Sequence, residues 1–83
     1  DNTAIIVDVR SKEEYDTGHI EGSINIPLQK ISNNPFMVCV NMNTPIILYC
    51  NMRYKSSIAA ELLIDVGYSR VYTIPGVEQY DYF

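Results

Sequence analysis

The sequence predicts an α/β fold with a small, mainly parallel central sheet flanked by helices. Three observations carry that prediction. The apolar, β-branched runs Ala4-Ile5-Ile6-Val7 and Ile46-Ile47-Leu48-Tyr49 do not alternate, so they read as strands buried on both faces. Ile58, Ala59, Leu62, Leu63 and Val66 then repeat at helical spacing. Strand and helix signals alternate along the chain, as crossover helices between parallel strands require.

The first strand runs into Asp8-Val9-Arg10. Ser11 is a good helix N-cap, and Glu14 three residues later completes a capping box, so a short helix follows and stops near Gly18. Ser23-Ile24-Asn25-Ile26 is the second strand. Pro27 ends it and opens a helical turn through Ile31. Ser32-Asn33-Asn34-Pro35 is a turn cluster. The stretch 36–43 fits helix or loop. The central strand Ile46-Ile47-Leu48-Tyr49 leads directly into Cys50, and a helix spans 56–66 with Gly67 as its C′ residue. Val71-Tyr72-Thr73-Ile74 is the last strand. Pro75-Gly76 turns the chain into a terminal helical turn over 77–82.

With 83 residues, 47% of them hydrophobic and 19% charged, the chain is read as one globular domain over 1–83. The net charge of -4 does not suit nucleic acid, which needs clustered Lys and Arg. An anion site must therefore be local and built against the overall field. Two cysteines are too few for a disulfide framework. No apolar run approaches the ~20 residues of a membrane span, and no signal-peptide pattern stands at Asp1. A cytoplasmic protein that binds neither membrane nor nucleic acid is the expectation.

The chemistry concentrates at Cys50. A buried strand ends there, a loop of Asn51, Met52, Arg53, Tyr54 and Lys55 follows, and a helix is expected from Ser56. A loop in this position lies at the carboxyl end of the sheet, where open α/β folds bind ligands. Its N–H groups can converge as an anion nest, and the next helix adds its positive end. Helix N-termini and neighbouring Lys or Arg favour a thiolate over a thiol, and Arg53 and Lys55 supply two cations. The plain alternative is a buried structural cysteine, a common fate of free Cys. Cys39 takes that reading, as it lies between Val38 and Val40 with no cation near it in sequence.

These residues resemble the rhodanese-like domain family, single-domain sulfurtransferases included. The resemblance rests on four segments, in order and spacing, over almost the whole chain. They are Ile6-Val7-Asp8-Val9-Arg10 with Glu14-Tyr15 and Gly18-His19-Ile20-Glu21-Gly22-Ser23; Ile24-Asn25-Ile26-Pro27-Leu28; Ile47-Leu48-Tyr49-Cys50 with Ser56 and Ala59-Ala60-Glu61-Leu62-Leu63; and Gly67-Tyr68, Val71-Tyr72 and Pro75-Gly76-Val77. The resemblance implies a parallel α/β fold. It also implies a cysteine, here Cys50, that takes a sulfane sulfur from a donor such as thiosulfate as a persulfide and passes it to a thiophilic acceptor. The expected partners are a small anionic sulfur donor, a thiol or cyanide acceptor, and a partner protein thiol. No cofactor is expected.

Asn51, Met52, Arg53, Tyr54, Lys55, Ser56 and Arg10 are the expected substrate-binding set. Many family members have Gly three positions after the cysteine and Arg five after it, where this chain has Arg53 and Lys55. Lys keeps the charge but lacks the planar fork that grips an oxyanion twice. Only Asp1-Asn2-Thr3 precede the first strand where the family usually carries an extra strand and helix, so the chain reads as a trimmed or minimal version. The aromatic near the C-terminal turn, commonly Trp, is here Tyr80. Asp8 is expected to be scaffold, and Arg10 either scaffold or a source of positive potential. His19, the single histidine, is expected to be structural, with no metal site around it. Tyr49, Tyr54 and Met52 line the pocket mouth or simply pack. Two competing functions remain: a phosphatase or arsenate reductase on the same scaffold, and a non-catalytic regulatory module. Related phosphatases carry one more loop residue between Cys and Arg, which weighs against the first. The presence of Cys50 weighs against the second.

Overall fold

The computed structural model describes residues 4–38, 41–51 and 54–74. Four strands form one sheet: β1 (Ile5–Asp8), β2 (Ile24–Asn25), β3 (Ile46–Tyr49) and β4 (Val71–Thr73). Their order is β2-β1-β3-β4, and all three pairings are parallel. Every strand contact therefore needs a crossover. The helices α1 (Lys12–Thr17), α2 (Leu28–Asn33) and α3 (Tyr54–Asp65), with a 3-10 turn at Pro35–Met37, supply them. The mainly parallel α/β architecture expected from the sequence is thus present.

The two apolar runs occupy the two central positions. β1 and β3 pair in register from Ile5 opposite Ile46 to Asp8 opposite Tyr49. Val7, Ile46, Leu48 and Tyr49 are fully buried, as strands covered on both faces must be. α2 packs on α3, and Ile31, Ala59 and Leu63 complete the core with Val9, Ile26, Val38 and Tyr68.

Local signals set most boundaries. Ser11 Oγ accepts the Glu14 N–H at 3.2 Å, and a Glu14 carboxylate oxygen accepts the Ser11 N–H at 3.2 Å, which is the expected capping box. At the far end of α3, Gly67 has φ +119°, its N–H donates to the Ile64 carbonyl, and the Tyr68 N–H donates to the Leu63 carbonyl. That pair of bonds is a Schellman motif, and buried Tyr68 and Leu63 supply its apolar contact.

Two expected helix boundaries are wrong. α2 runs two residues past Ile31, through Asn33 and into the expected turn cluster, because the Asn34 N–H still donates to the Lys30 carbonyl. α3 begins at Tyr54, not Ser56. The apolar repeat that signals this helix begins only at Ile58, so it does not mark the first turn, and Tyr54 and Lys55, expected in the loop, already belong to it. The strand limits also shift by a residue or two, with β2 reduced to Ile24–Asn25. The 3-10 turn Pro35–Met37 joins the end of the expected turn cluster to the start of the ambiguous stretch 36–43, and Asn34 Oδ1 accepts the Phe36 N–H at 3.3 Å. Cys39 and the terminal turn over 77–82, with Tyr80, lie outside the described residues.

Strand order fixes where a ligand can enter. From β1 the chain moves to β2 on one side; from β3 it moves to β4 on the other. Right-handed crossovers then place α1 on one face of the sheet and α3 on the opposite face. The connections diverge at the carboxyl ends of β1 and β3, and this switch point leaves a crevice. Arg10 follows β1 there, and Cys50 follows β3.

Candidate active site

Cys50 is the residue after β3 and is 3% exposed. Its Sγ accepts the Ser56 N–H at 3.4 Å, and its thiol reaches Ser56 Oγ at 3.7 Å. Ser56 is the third residue of α3, and an N–H in that turn has no partner within the helix. The sulfur fills that vacancy. The hydroxyl can rotate to donate to a thiolate, so both Ser56 groups can serve a negative sulfur.

The earlier helix start shortens the loop. Only Asn51, Met52 and Arg53 separate Cys50 from α3, and Met52 and Arg53 lie outside the described residues. A cavity of about 140 Å³ opens above the sulfur, lined by Arg10, Glu14, Cys50, Asn51, Tyr54 and Lys55. The structure therefore brings together with Cys50 four residues of the expected binding set, Arg10, Asn51, Tyr54 and Lys55, and adds Glu14, while Ser56 contacts the sulfur from α3. Tyr54 is 74% exposed at the rim, and Lys55 is exposed on the first turn of α3. A wider cleft of about 360 Å³ meets the cavity at Lys55 and runs over Ser11, Pro27 and Leu28.

Beside the sulfur lies a chain of polar contacts. Arg10 grips Asp8 through Nε and Nη2, with Nη2 to Oδ2 at 2.8 Å, and Asp8 Oδ1 also accepts the Arg10 N–H at 2.8 Å. Both side chains are nearly excluded from solvent. Burial disfavours the Arg10 charge, but the Asp8 hydrogen bond and its negative charge outweigh it, and the guanidinium is held charged above its ordinary value. The guanidinium carbon also lies 5.9 Å from the Tyr49 ring centre, within cation–π range. Arg10 continues outward, donating to the Gly18 carbonyl at 2.6 Å and to Asn51 Oδ1 at 3.3 Å. Asn51 Nδ2 then donates to Glu14 Oε2 at 2.7 Å. That bond, followed by those from Ser11, draws the Glu14 pKa below its ordinary value, so its carboxylate is ionised at neutral pH.

Asp8 has the scaffold role expected of it. Arg10, left open by the sequence, is a scaffold residue whose outer edge reaches the cavity. Tyr49 packs in the core, and its hydroxyl accepts the Ile20 N–H at 3.0 Å and meets Ser23 Oγ at 3.0 Å. His19 stacks on Tyr15, 3.7 Å between ring centres, with Nδ1 2.8 Å from the Tyr15 carbonyl. Among the described residues no His, Cys, Asp or Glu cluster could hold a metal, and no helix is long and apolar enough to cross a membrane. Sequence reasoning overlooked Asn25, whose side-chain amide donates to the Asp8 and Arg10 carbonyls at 3.0 Å each. It also overlooked the second role of Glu14. The one available signal for Glu14 was an acidic side chain one helical turn from the Arg10 corner.

The chain as a whole is similar to known proteins. The family model of the rhodanese-like domain matches residues 1–77. The chain belongs to the rhodanese-like domain family. It is similar to the thiosulfate sulfurtransferase PspE of Escherichia coli, 33% identical over 72 residues, which are 87% of this chain and 69% of that protein. It is also similar to the thiosulfate sulfurtransferase GlpE of Stutzerimonas stutzeri, 32% identical over 73 residues, 88% of this chain and 65% of that one. The chain thus spans about two thirds of these curated relatives. Among solved structures it resembles a rhodanese with anions from E. coli, with a TM-score of 0.84 and 31% identity, over 94% of this chain and 92% of that one. In this rhodanese-like domain, Cys50 occupies the strand end at the switch point.

Proposed function

We propose that this rhodanese-like domain is a sulfurtransferase that carries a sulfane sulfur as a persulfide on Cys50. The observation that carries the reading is the placement of Cys50 Sγ at the switch point, accepting the Ser56 N–H under a small cavity. Relatives named thiosulfate sulfurtransferase support the reaction class. With thiosulfate, the Cys50 thiolate attacks the outer sulfur. A new S–S bond forms to Cys50, the sulfur–sulfur bond of thiosulfate breaks, and sulfite leaves with the bonding pair. Cyanide or a thiolate then attacks the terminal sulfur of the persulfide, and the Cys50 thiolate departs. The Ser56 N–H steadies the sulfur in each anionic state.

A cavity of about 140 Å³ also suits a donor of a few heavy atoms better than an aryl phosphate. The test is intact mass after incubation with thiosulfate. The wild type should gain one sulfur, lost on adding cyanide, and Cys50→Ser should gain none. Steady hydrolysis of an aryl phosphate without any persulfide would instead assign the scaffold to phosphate chemistry. Failure to gain sulfur from any sulfane donor, with no hydrolysis, would leave the regulatory-module reading.

A further inference from the structure

We propose that Glu14 is a specificity-determining residue that sets the Cys50 site against doubly charged sulfur donors and toward singly charged sulfane donors such as organic persulfides. The inference rests on the sulfurtransferase reading and goes beyond it to the class of donor.

The argument begins with the charges around the cavity. A cysteine loop rich in cations is expected to grip a dianion. Among the described residues, the cavity is lined by only two cations, Arg10 and Lys55. Arg10 is already held by the buried Asp8 carboxylate through both Nε and Nη2. Lys55 is opposed by Glu14, close enough for its charge to help hold the Glu14 carboxylate ionised. The charges of Arg10, Lys55, Asp8 and Glu14 therefore sum to zero. Among the described residues, the two cations at the cavity are thus each matched by a carboxylate.

Glu14 is also a fixed charge, not a waving surface carboxylate. One oxygen accepts from the Ser11 N–H and Oγ, and the other accepts from Asn51 Nδ2 at 2.7 Å. Its helix is anchored by the same capping box, so the carboxylate cannot swing away from an entering anion without breaking the N-terminus of α1. A donor approaching Cys50 must share the cavity with it. Coulomb energy is linear in the donor's charge, so the cost to a dianion is twice the cost to a monoanion.

Thiosulfate and methanethiosulfonate isolate this effect. They have similar size, and the second replaces one charged oxygen with a methyl group. Both transfer the same sulfur: the Cys50 thiolate forms a persulfide, and the leaving group is sulfite or methanesulfinate. Glu14→Gln removes the charge and retains a capping-box side chain. The variant should raise kcat/KM about threefold for methanethiosulfonate and about tenfold for thiosulfate, because the logarithmic gain doubles with charge. Asn51→Ala removes one tie on the carboxylate but not its charge, and should move the ratio between the two donors less than Glu14→Gln does. Lys55→Met, on the exposed first turn of α3, should move the ratio the opposite way, with thiosulfate losing more. Equal factors for both donors in Glu14→Gln, or an unmoved ratio in Lys55→Met, would overturn the proposal while leaving persulfide chemistry intact. A wild type that forms no persulfide with either donor would overturn the sulfurtransferase reading itself.

Discussion

At Arg10 a positive charge is held almost out of water, and Asp8 makes this tolerable. Asp8 is itself fully buried, so each charge answers the desolvation of the other. The pair also carries the loop after β1, since the Arg10 N–H and side chain both close on the same carboxylate. Removing one partner leaves the other buried and uncompensated. Asp8→Asn should therefore destabilise the protein by about 3 kcal/mol, measured by urea denaturation. A loss under 1 kcal/mol would mean that Arg10 finds another partner and that the pair is not the anchor of the site. The residues of this network were only partly legible. Asp8 and Arg10 stand two apart, and their pairing could be weighed from sequence. Asn51 meets Glu14 across 37 positions, and Tyr49 meets Ser23 across 26. Contacts at such separations exist only once β1 and β3 are paired, and no local pattern announces them.

At the scale of elements, sequence and structure agree at two boundaries made by local chemistry. The Ser11–Glu14 capping box and the Gly67 terminus are each written within four or five residues. The start of α3 failed for the same reason in reverse. Tyr54 and Lys55 have no cap signature, and only four residues, 50–53, separate the end of β3 at Tyr49 from the start of α3. This matters for the site, because a helix that starts earlier brings the Ser56 N–H down onto the sulfur. The closing glycine of α3 offers a clean test. At φ +119° a side chain is strained, yet a Cβ there would meet only Met42 Sδ at 3.9 Å, an ordinary contact. Gly67→Ala should cost about 1 kcal/mol through backbone strain alone. For a domain of this size that is a fall in Tm of about 4–8 °C. Sulfur loading of Cys50 should be unchanged at 25 °C, since Gly67 lies at the opposite end of α3. An unchanged Tm would show that the terminus relaxes into another cap.

For the whole molecule, the same groups that shape the site set the limits of stability with pH. Glu14 is held below its ordinary value first by the Asn51 hydrogen bond and then by Ser11. A depressed carboxylate stabilises the fold above its unfolded pKa, about 4.3, and that contribution fades as pH falls through the lower folded value. Tyr49 behaves oppositely. Burial pushes its phenol above the ordinary value, against the opposing hydrogen bonds of Ser23 and Ile20. A raised phenol stabilises the fold below its unfolded pKa, about 10, and that contribution is lost as pH rises from there through the folded value. The raised Arg10 guanidinium stays charged across this span and adds no slope. Stability should therefore be level between about pH 5 and 9, with an acid limb assigned in part to Glu14 and an alkaline limb assigned in part to Tyr49. Urea melts from pH 3 to 11 give the profile. Glu14→Gln should flatten the acid limb and leave the alkaline one. Tyr49→Phe should lower the plateau by about 1 kcal/mol, for the lost bonds to Ile20 and Ser23, and flatten the alkaline limb. Variants that shift the plateau but preserve both slopes would assign the limbs to other groups. The two limbs report on opposite sides of one structure: Glu14 ties α1 to the cysteine loop, and Tyr49 ties β3 to the turn before β2.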